Sequence, residues 1–413
     1  MDRISELSDE LLVRILSFLP TKVAVSTSIL SKRWECLWMW LPKLDFVSSH
    51  CTRSECESLR CLLDRSLPLY RASVMESFRL DLSFSRYKPE DVKLWVVIAV
   101  SRCLRELDIV YDSYLDKQCI LPSSLYACKS LVVLKLEGDI LLDVPRRVCL
   151  PSLKTLQLRN GTGLDGESLK RLLSICPVLE NLSVDFCHRD DNVGKIIVIV
   201  MSLQSLSLSI PRECYLDGLE IDTPSLKYLK LEDLNDENES CVIEDMPKLE
   251  EAYIHVRFPD IKSIIGSITS VKRLTLCSQV LYGNGFVFNQ LEYLKLCVCT
   301  RCSSNLLARL LKDSPNLRVL NIFQILGRAS KMVSWNRPST VPACFWSTIQ
   351  TFIWSGYMGR PQEKDVAVYV LENAHRLYTA RISSDEKFIP KFEMLKELSV
   401  CSRASTTCRL FFD

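Results

Sequence analysis

The sequence predicts an α/β protein: a short N-terminal module of three helices, followed by a curved repeat solenoid with parallel strands on its concave side and helices on its convex side. Three observations predict it. An apolar trio spaced i, i+3, i+5 recurs along most of the chain, and a second trio with helical spacing stands at a fixed distance ahead of several of the first. The opening residues, finally, carry more apolar side chains on one helical face than so short a segment can bury.

Composition bounds the function before any motif is considered. With 413 residues and 47% hydrophobic content, the chain is ordered and too long for one compact core, which favours several domains or an elongated array. Charge is nearly balanced, 52 Lys+Arg against 50 Asp+Glu, so no overall field draws it to nucleic acid or an anionic membrane. The longest apolar runs, Leu94 to Val100 and Ile196 to Met201, are far too short to span a bilayer. Asp2, Arg3, Glu6, Asp9 and Glu10 precede any apolar run, the wrong layout for a signal peptide. A soluble protein of the cytoplasm, the nucleus or both is expected, and its 19 cysteines read mostly as small buried apolar residues.

Leu12, Ile15, Leu16 and Leu19 fall on one face of a first helix, with Ser8 as its cap, Asp9 and Glu10 at the positive end of its dipole, and Pro20 as its stop. Thr21 can cap a second segment anchored by Val23, Ile29 and Leu30, and residues 32–38 read as a third short helix. Together with Asp2-Arg3-Ile4-Ser5, Asp9-Glu10-Leu11-Leu12, Ile15-Leu16-Ser17-Phe18-Leu19-Pro20-Thr21-Lys22 and Leu30-Ser31-Lys32-Arg33-Trp34, this segment resembles the F-box of plant proteins. The resemblance implies that residues 1–46 dock a Skp-family adaptor and, through it, a cullin. It carries the contact onto Leu7, Ser8, Leu11, Leu12, Ile15, Leu16, Leu19, Pro20 and Trp34. Ser8 stands where the family usually has proline, a change that weakens docking modestly by leaving the helix entry less pre-organised.

After a helical linker over 47–74, the trio begins and sets a repeat region over 75–344. Instances are Leu104/Leu107/Ile109, Leu131/Leu134/Leu136, Leu153/Leu156/Leu158, Leu179/Leu182/Val184, Leu203/Leu206/Leu208 and Leu226/Leu229/Leu231. Leu249/Ala252/Ile254, Val271/Leu274/Leu276, Leu291/Leu294/Leu296 and Leu317/Leu320/Ile322 follow, mostly about 20 to 27 residues apart, the period of a leucine-rich repeat. The helical trios Leu94/Val97/Ile98, Leu169/Leu172/Leu173, Leu307/Leu310/Leu311 and Ala367/Val370/Leu371 each begin ten residues before a strand leucine. Each repeat therefore reads as a convex helix and a concave strand, stacked so that neighbours bury what one repeat cannot.

Period two turns the residues between the strand leucines toward solvent. Among them, Tyr228, Lys230, Tyr253, His255, Arg273, Tyr293 and Lys295 are the expected contacts for a protein substrate, since mixed charge with interleaved tyrosines suits a protein surface.

The trio persists in Ile349/Phe352/Trp354, Leu377/Ala380/Ile382 and Leu395/Leu398/Val400. Trp354-Ser355-Gly356-Tyr357, Glu363-Lys364-Asp365-Val366-Ala367, Leu371-Glu372-Asn373-Ala374 and Leu395-Lys396-Glu397-Leu398 resemble the FBD region that closes many plant F-box and leucine-rich repeat proteins. That places an FBD region over 345–413, where it can cap the last repeat.

Other motifs point elsewhere and are set aside. Gly161, Gly163 and Gly166 fit G-x-G-x-x-G with Asp185 downstream, but the preceding strand exposes Thr155 and Gln157, unlike the apolar core strand of a dinucleotide fold, so a flexible convex loop is expected. Cys297, Cys299 and Cys302 lack a fourth ligand nearby in sequence, so no metal is expected. The acidic run Glu232, Asp233, Asp236, Glu237 and Glu239 lacks the spacing of a calcium loop and reads as a solvated connection. No nucleophile pairs with a histidine, so no catalytic residues and no cofactor are expected.

The function these readings imply is non-catalytic: a substrate-recognition subunit of an SCF-type (Skp-cullin-F-box) ubiquitin ligase. A repeat scaffold or decoy that never joins a ligase is the alternative.

Overall fold

The structure, a computed structural model, describes residues 4, 6–48, 52–113, 117–161, 163–187, 193–235, 241–257, 261–299, 302, 305–324, 335–384 and 396–412. The chain divides into two compact units, Met1–Leu203 and Gln204–Asp413.

The first unit opens with α1 (Asp9–Leu16) and α2 (Thr21–Ser26), followed by a 3-10 helix over Trp34–Trp40. The expected third helix is thus a 3-10 segment. Pro20 also does not end α1: that helix stops at Leu16 with Ser17 as its C-cap, and Pro20 is the entry residue of α2. Thr21 is not a cap either, since its buried hydroxyl accepts the Asp45 N–H at 2.8 Å.

The parallel ladder of this unit is β1 (Lys43–Val47), β2 (Ser77–Ser85), β3 (Glu106–Ser113), β4 (Val133–Gly138), β5 (Thr155–Gly161) and β6 (Asn181–Phe186), each paired with the next. It begins at Lys43, inside the segment that resembles an F-box. Helix α3 (Arg53–Ser66) lies between β1 and β2, α4 (Pro89–Val100) between β2 and β3, and α5 (Gly166–Ser174) between β5 and β6.

The second unit has the same pattern, with β7 (Ser205–Ile210), β8 (Tyr228–Asp233), β9 (Glu251–Val256), β10 (Arg273–Ser278), β11 (Tyr293–Cys297), β12 (Val319–Phe323), β13 (Thr351–Ser355), β14 (Thr379–Ser383) and β15 (Arg409–Phe412), all parallel. Its helices are α6 (Lys262–Ser267), α7 (Leu306–Asp313), α8 (Ala343–Ser347) and α9 (Pro361–Asn373).

The ladder follows the trios because period two sends alternate residues inward. In β8, Leu229 and Leu231 are fully buried, and Ala252 of β9, the ladder partner of Leu229, is buried as well. The same inward column holds Leu274, Leu294, Leu320, Phe352 and Ala380 in successive strands. Each repeat is therefore stabilised by its neighbours, at about 1.5–3 kcal/mol for each leucine fully removed from water.

Several expectations need correction. Repeats in the middle of the chain carry backing strands instead of helices: Gly194–Ile199 packs on α5, and Leu216–Asp222 pairs in parallel with Cys241–Ile243. β-branched stretches such as Lys195-Ile196-Ile197-Val198 favour extended backbone. In α4 the buried stripe is Val92, Trp95, Val96 and Ala99, while Leu94 and Val97 face outward. That helix is apolar nearly all round, so its periodicity admits either face. Leu169, Leu172 and Leu173, Leu307, Leu310 and Leu311, and Ala367, Val370 and Leu371 are buried as expected.

The trio Leu395/Leu398/Val400 forms no strand where its residues are described: 396–398 are helical and Val400 is 82% exposed, while Leu395 lies outside the described residues. The last rung is instead β15, with Leu410 beside Ala380 and Phe412 beside Ile382. A spacing of three also suits a helix, so a lone trio does not identify a strand.

The glycines of G-x-G-x-x-G serve backbone geometry. Gly163 has φ +77°, and a Cβ at Gly166 would meet the Lys195 carbonyl at 2.0 Å. Its N–H donates to the Val193 carbonyl at 2.8 Å. The chain occupies the space at the start of α5 that a pyrophosphate would need, and Gly166 is a close-packing residue there, not part of a flexible loop. Thr162 lies outside the described residues.

Candidate functional site

Two surfaces and one side-chain cluster carry the chemistry. In the N-terminal module the nine expected adaptor contacts divide by burial. Leu12 and Leu16 are fully buried and Trp34 nearly so; with Leu37, Trp38 and Met39 they form the small core. They lie beneath the exposed side chains and support them. Leu11, Ile15, Leu19 and Pro20 are exposed, Leu7 is half-buried, and Ser8 is exposed at the N-cap of α1.

The surface also includes residues outside the expected set: Ile4, Val23, Phe18 at 80% exposed, Ile29 at 88% and Leu30 at 65%. Phe18 and Leu30 lie within the F-box resemblance itself, so the motif held the signal. So many large apolar side chains in water mark an interaction site. Its geometry is braced by Arg33, whose guanidinium pairs with Asp9 at 2.8 Å and also donates to the Leu7 carbonyl, tying the 3-10 segment to the start of α1. Ser8 Oγ accepts the Leu11 N–H at 3.5 Å, a long cap, and its φ of −65° is the value proline imposes.

The outward face of the first unit's ladder is largely neutralised by its own ion pairs. Arg79 lies 3.7 Å from both Asp45 and Asp108, Lys135 2.9 Å from Glu106, and Arg159 3.6 Å from Asp185. Burial raises the Asp108 carboxyl above its ordinary value, against the pull of Lys135 and Arg79.

The expected substrate contacts all lie on the outward side of β8 to β11. Register arranges them in rows: Tyr228, Glu251, Arg273 and Tyr293 in one, and Lys230, Tyr253, Thr275 and Lys295 in the next. Tyr228 and Tyr293 thus share a row, with Tyr253 one row on. Arg273 stacks over Tyr293 with 4.3 Å to the ring centroid, and Asn321 donates to the Tyr293 hydroxyl at 3.0 Å. Both contacts hold the ring in place.

Glu232, expected in a solvated acidic connection, is the hub of this face. Its carboxylate lies 2.8 Å from Lys230, 3.3 Å from the Tyr253 hydroxyl and 3.9 Å from His255 Nδ1. The His255 imidazole beside it, together with Lys230, holds its carboxyl down to about 2 although burial opposes this. Asp233 is fully buried at the end of β8 and accepts the Asn235 N–H at 3.0 Å, whereas Asp236, Glu237 and Glu239 lie outside the described residues. Glu232 was hidden in sequence because it belongs to a strand and opens an acidic run at once.

Cys297, Cys299 and Cys302 meet a fourth thiol, Cys277, which corrects the expectation that no ligand completes the set. The four sulfurs lie within 4.8 Å of one another. Crowding by neighbouring sulfurs, Cys277 first, pushes the Cys302 thiol above its ordinary value. The missed signal is positional: Cys277 and Cys297 each follow the last leucine of a strand, and Leu276 and Leu296 are ladder partners.

An outward-facing apolar F-box-like surface joined to leucine-rich strands defines an F-box repeat protein, and comparison with known proteins agrees. A family model described as F-box domain matches residues 4–46. One described as FBD-associated F-box protein At5g56370, LRR repeats, matches 92–251, and one described as FBD matches 337–382. The chain is 59% identical over 414 residues to FBD-associated F-box protein At4g10400 of Arabidopsis thaliana, covering 100% of both. It is 52% identical over 404 residues to FBD-associated F-box protein At5g38590 of the same plant, covering 96% of this chain and 98% of that one. Over 441 residues it is 46% identical to Putative F-box/FBD/LRR-repeat protein At4g00315 of the same plant, covering 100% of both. The chain belongs to the plant F-box/FBD/leucine-rich repeat family. Among the described residues, no helix is long and apolar enough to cross a membrane.

Proposed function

We propose that this protein is the substrate-recognition subunit of an SCF-type ubiquitin ligase. Residues 1–46 dock a Skp-family adaptor and through it a cullin, 47–74 join that module to the repeats, the repeats over 75–344 hold a protein substrate, and 345–413 cap the array. The observation that carries this reading is the exposed apolar set Leu11, Ile15, Phe18, Leu19, Ile29 and Leu30 standing over a packed Leu12, Leu16 and Trp34 core. Of the nine residues expected at the adaptor, Leu7, Ser8, Leu11, Ile15, Leu19 and Pro20 line the contact, and Leu12, Leu16 and Trp34 hold it in shape.

Substrate is held on a concave strand face of a curved array by Tyr228, Lys230, Tyr253, His255, Arg273, Tyr293 and Lys295. The protein transfers nothing itself. It raises the local concentration of target lysines near a charged conjugating enzyme in the cytoplasm, the nucleus or both. Co-purification with a Skp-family adaptor, and proximity labelling with and without proteasome inhibition, test the reading together. Adaptor, cullin and targets that accumulate under inhibition are expected. Interaction partners without adaptor or cullin would favour a scaffold or decoy instead.

A further inference from the structure

Four thiols from two stretches of chain meet at the C-terminal ends of β10 and β11. Period two turns Cys277 and Cys297 toward the side that carries Thr275 and Lys295, where a side chain would ordinarily be open to water. Yet Cys277 is 7% exposed and Cys297 1%, because Cys299 and Cys302 pack against them. The Cys302 N–H donates to the Cys299 carbonyl at 2.9 Å, which holds the two residues of this C-x-x-C pair together against the strand ends. Cys302 Sγ stands 3.7 Å from Cys277 Sγ and 3.4 Å from Cys299 Sγ.

We infer that Cys277, Cys297, Cys299 and Cys302 are the four ligands of one structural zinc ion. Sulfurs bonded to a single tetrahedral zinc at about 2.3 Å stand about 3.8 Å apart, which is the scale of this cluster, whereas a disulfide holds its sulfurs about 2.05 Å apart. Four thiolates close a tetrahedral shell and leave no position for water or substrate, so the site is structural and not catalytic. All-sulfur ligation selects zinc over magnesium or calcium. Simple core filling explains single buried cysteines such as Cys344 and Cys176, but does not require four sulfurs on one centre. Among the described residues, this is the one group of that kind formed by cysteines alone.

The zinc would staple Cys299 and Cys302 onto the ends of β10 and β11. Cys277 is the ladder partner of His255, so the staple would brace one end of the row that holds Glu232 and His255. The inference stands whether or not the chain joins a ligase.

The test is metal content of the full chain, purified under reducing conditions after growth in zinc-supplemented medium. Plasma mass spectrometry is expected to find about one zinc per chain. C277S and C302S each lower retained zinc by at least about tenfold, since losing a ligand costs no less than losing an outer hydrogen-bond partner. C344S, a buried cysteine elsewhere, keeps it. If the ligand variants do not fold, wild-type protein suffices: titration with a mercurial should release zinc in step with thiol modification, and cobalt reconstitution should give the absorption of a tetrahedral tetrathiolate. Folded wild type without zinc, zinc retained in both ligand variants, or stoichiometric iron in its place would overturn the assignment.

Discussion

Tyr253 donates its hydroxyl proton to Glu232 across the β8–β9 ladder at 3.3 Å, which joins an aromatic surface to a carboxylate at its centre. The Glu232 carboxyl titrates at about 2 in the fold, below its ordinary 4.5, because His255 and Lys230 favour the ionised form. Its stabilising contribution is therefore complete above pH 4.5 and is lost as pH falls toward 2. Urea midpoints across this range should fall with acid more steeply for the wild type than for E232Q. Parallel acid limbs in the two proteins would refute the coupling.

The tyrosines of this face should matter for capture and not for assembly. Truncating Tyr228, Tyr253 and Tyr293 together to alanine is expected to weaken substrate binding by about 2 kcal/mol or more, the scale of an aromatic hot spot, with adaptor binding unchanged. Proximity labelling by the triple variant measures it. Undiminished target recovery would remove these residues from the interface.

At the N-terminus, burial separates two kinds of variant. L11D with I15D places charge on the exposed surface and should reduce adaptor affinity by at least about a hundredfold, with the melting temperature nearly unchanged. L12A removes a fully buried side chain and should instead cost about 2–5 kcal/mol of module stability. Calorimetric titration with the adaptor, beside thermal melts, distinguishes them.

Ser8 already holds φ at −65°, so S8P fits its backbone without strain. Pre-organisation of the α1 entry outweighs a cap of 3.5 Å, and adaptor affinity should rise a few-fold. Weaker binding by S8P would show that the serine cap is the stronger effect.

Glu363 in α9 is fully buried and accepts from Gln324 Nε2 and from the Met358 N–H, both at 2.8 Å. E363A strands these donors and should cost about 1–3 kcal/mol for each. E363Q, which keeps one acceptor oxygen, should lose less. Denaturant midpoints of the three proteins give the order.

Local pattern determined much of this molecule by itself. Strand leucines such as Leu229, Leu274 and Leu294 were legible because period two and a repeat length are properties of neighbouring residues, and the F-box and FBD segments because their motifs are contiguous. Tertiary structure decided what depends on register between distant strands: the meeting of Cys277 with Cys297, and the place of Glu232 beneath Tyr253 and His255. It also decided which side of an apolar helix is covered, setting Leu12 inside and Leu11 outside in α1, and Trp95 inside and Leu94 outside in α4. Periodicity names the residues that share a face, but only packing against the rest of the chain selects the face that leaves water.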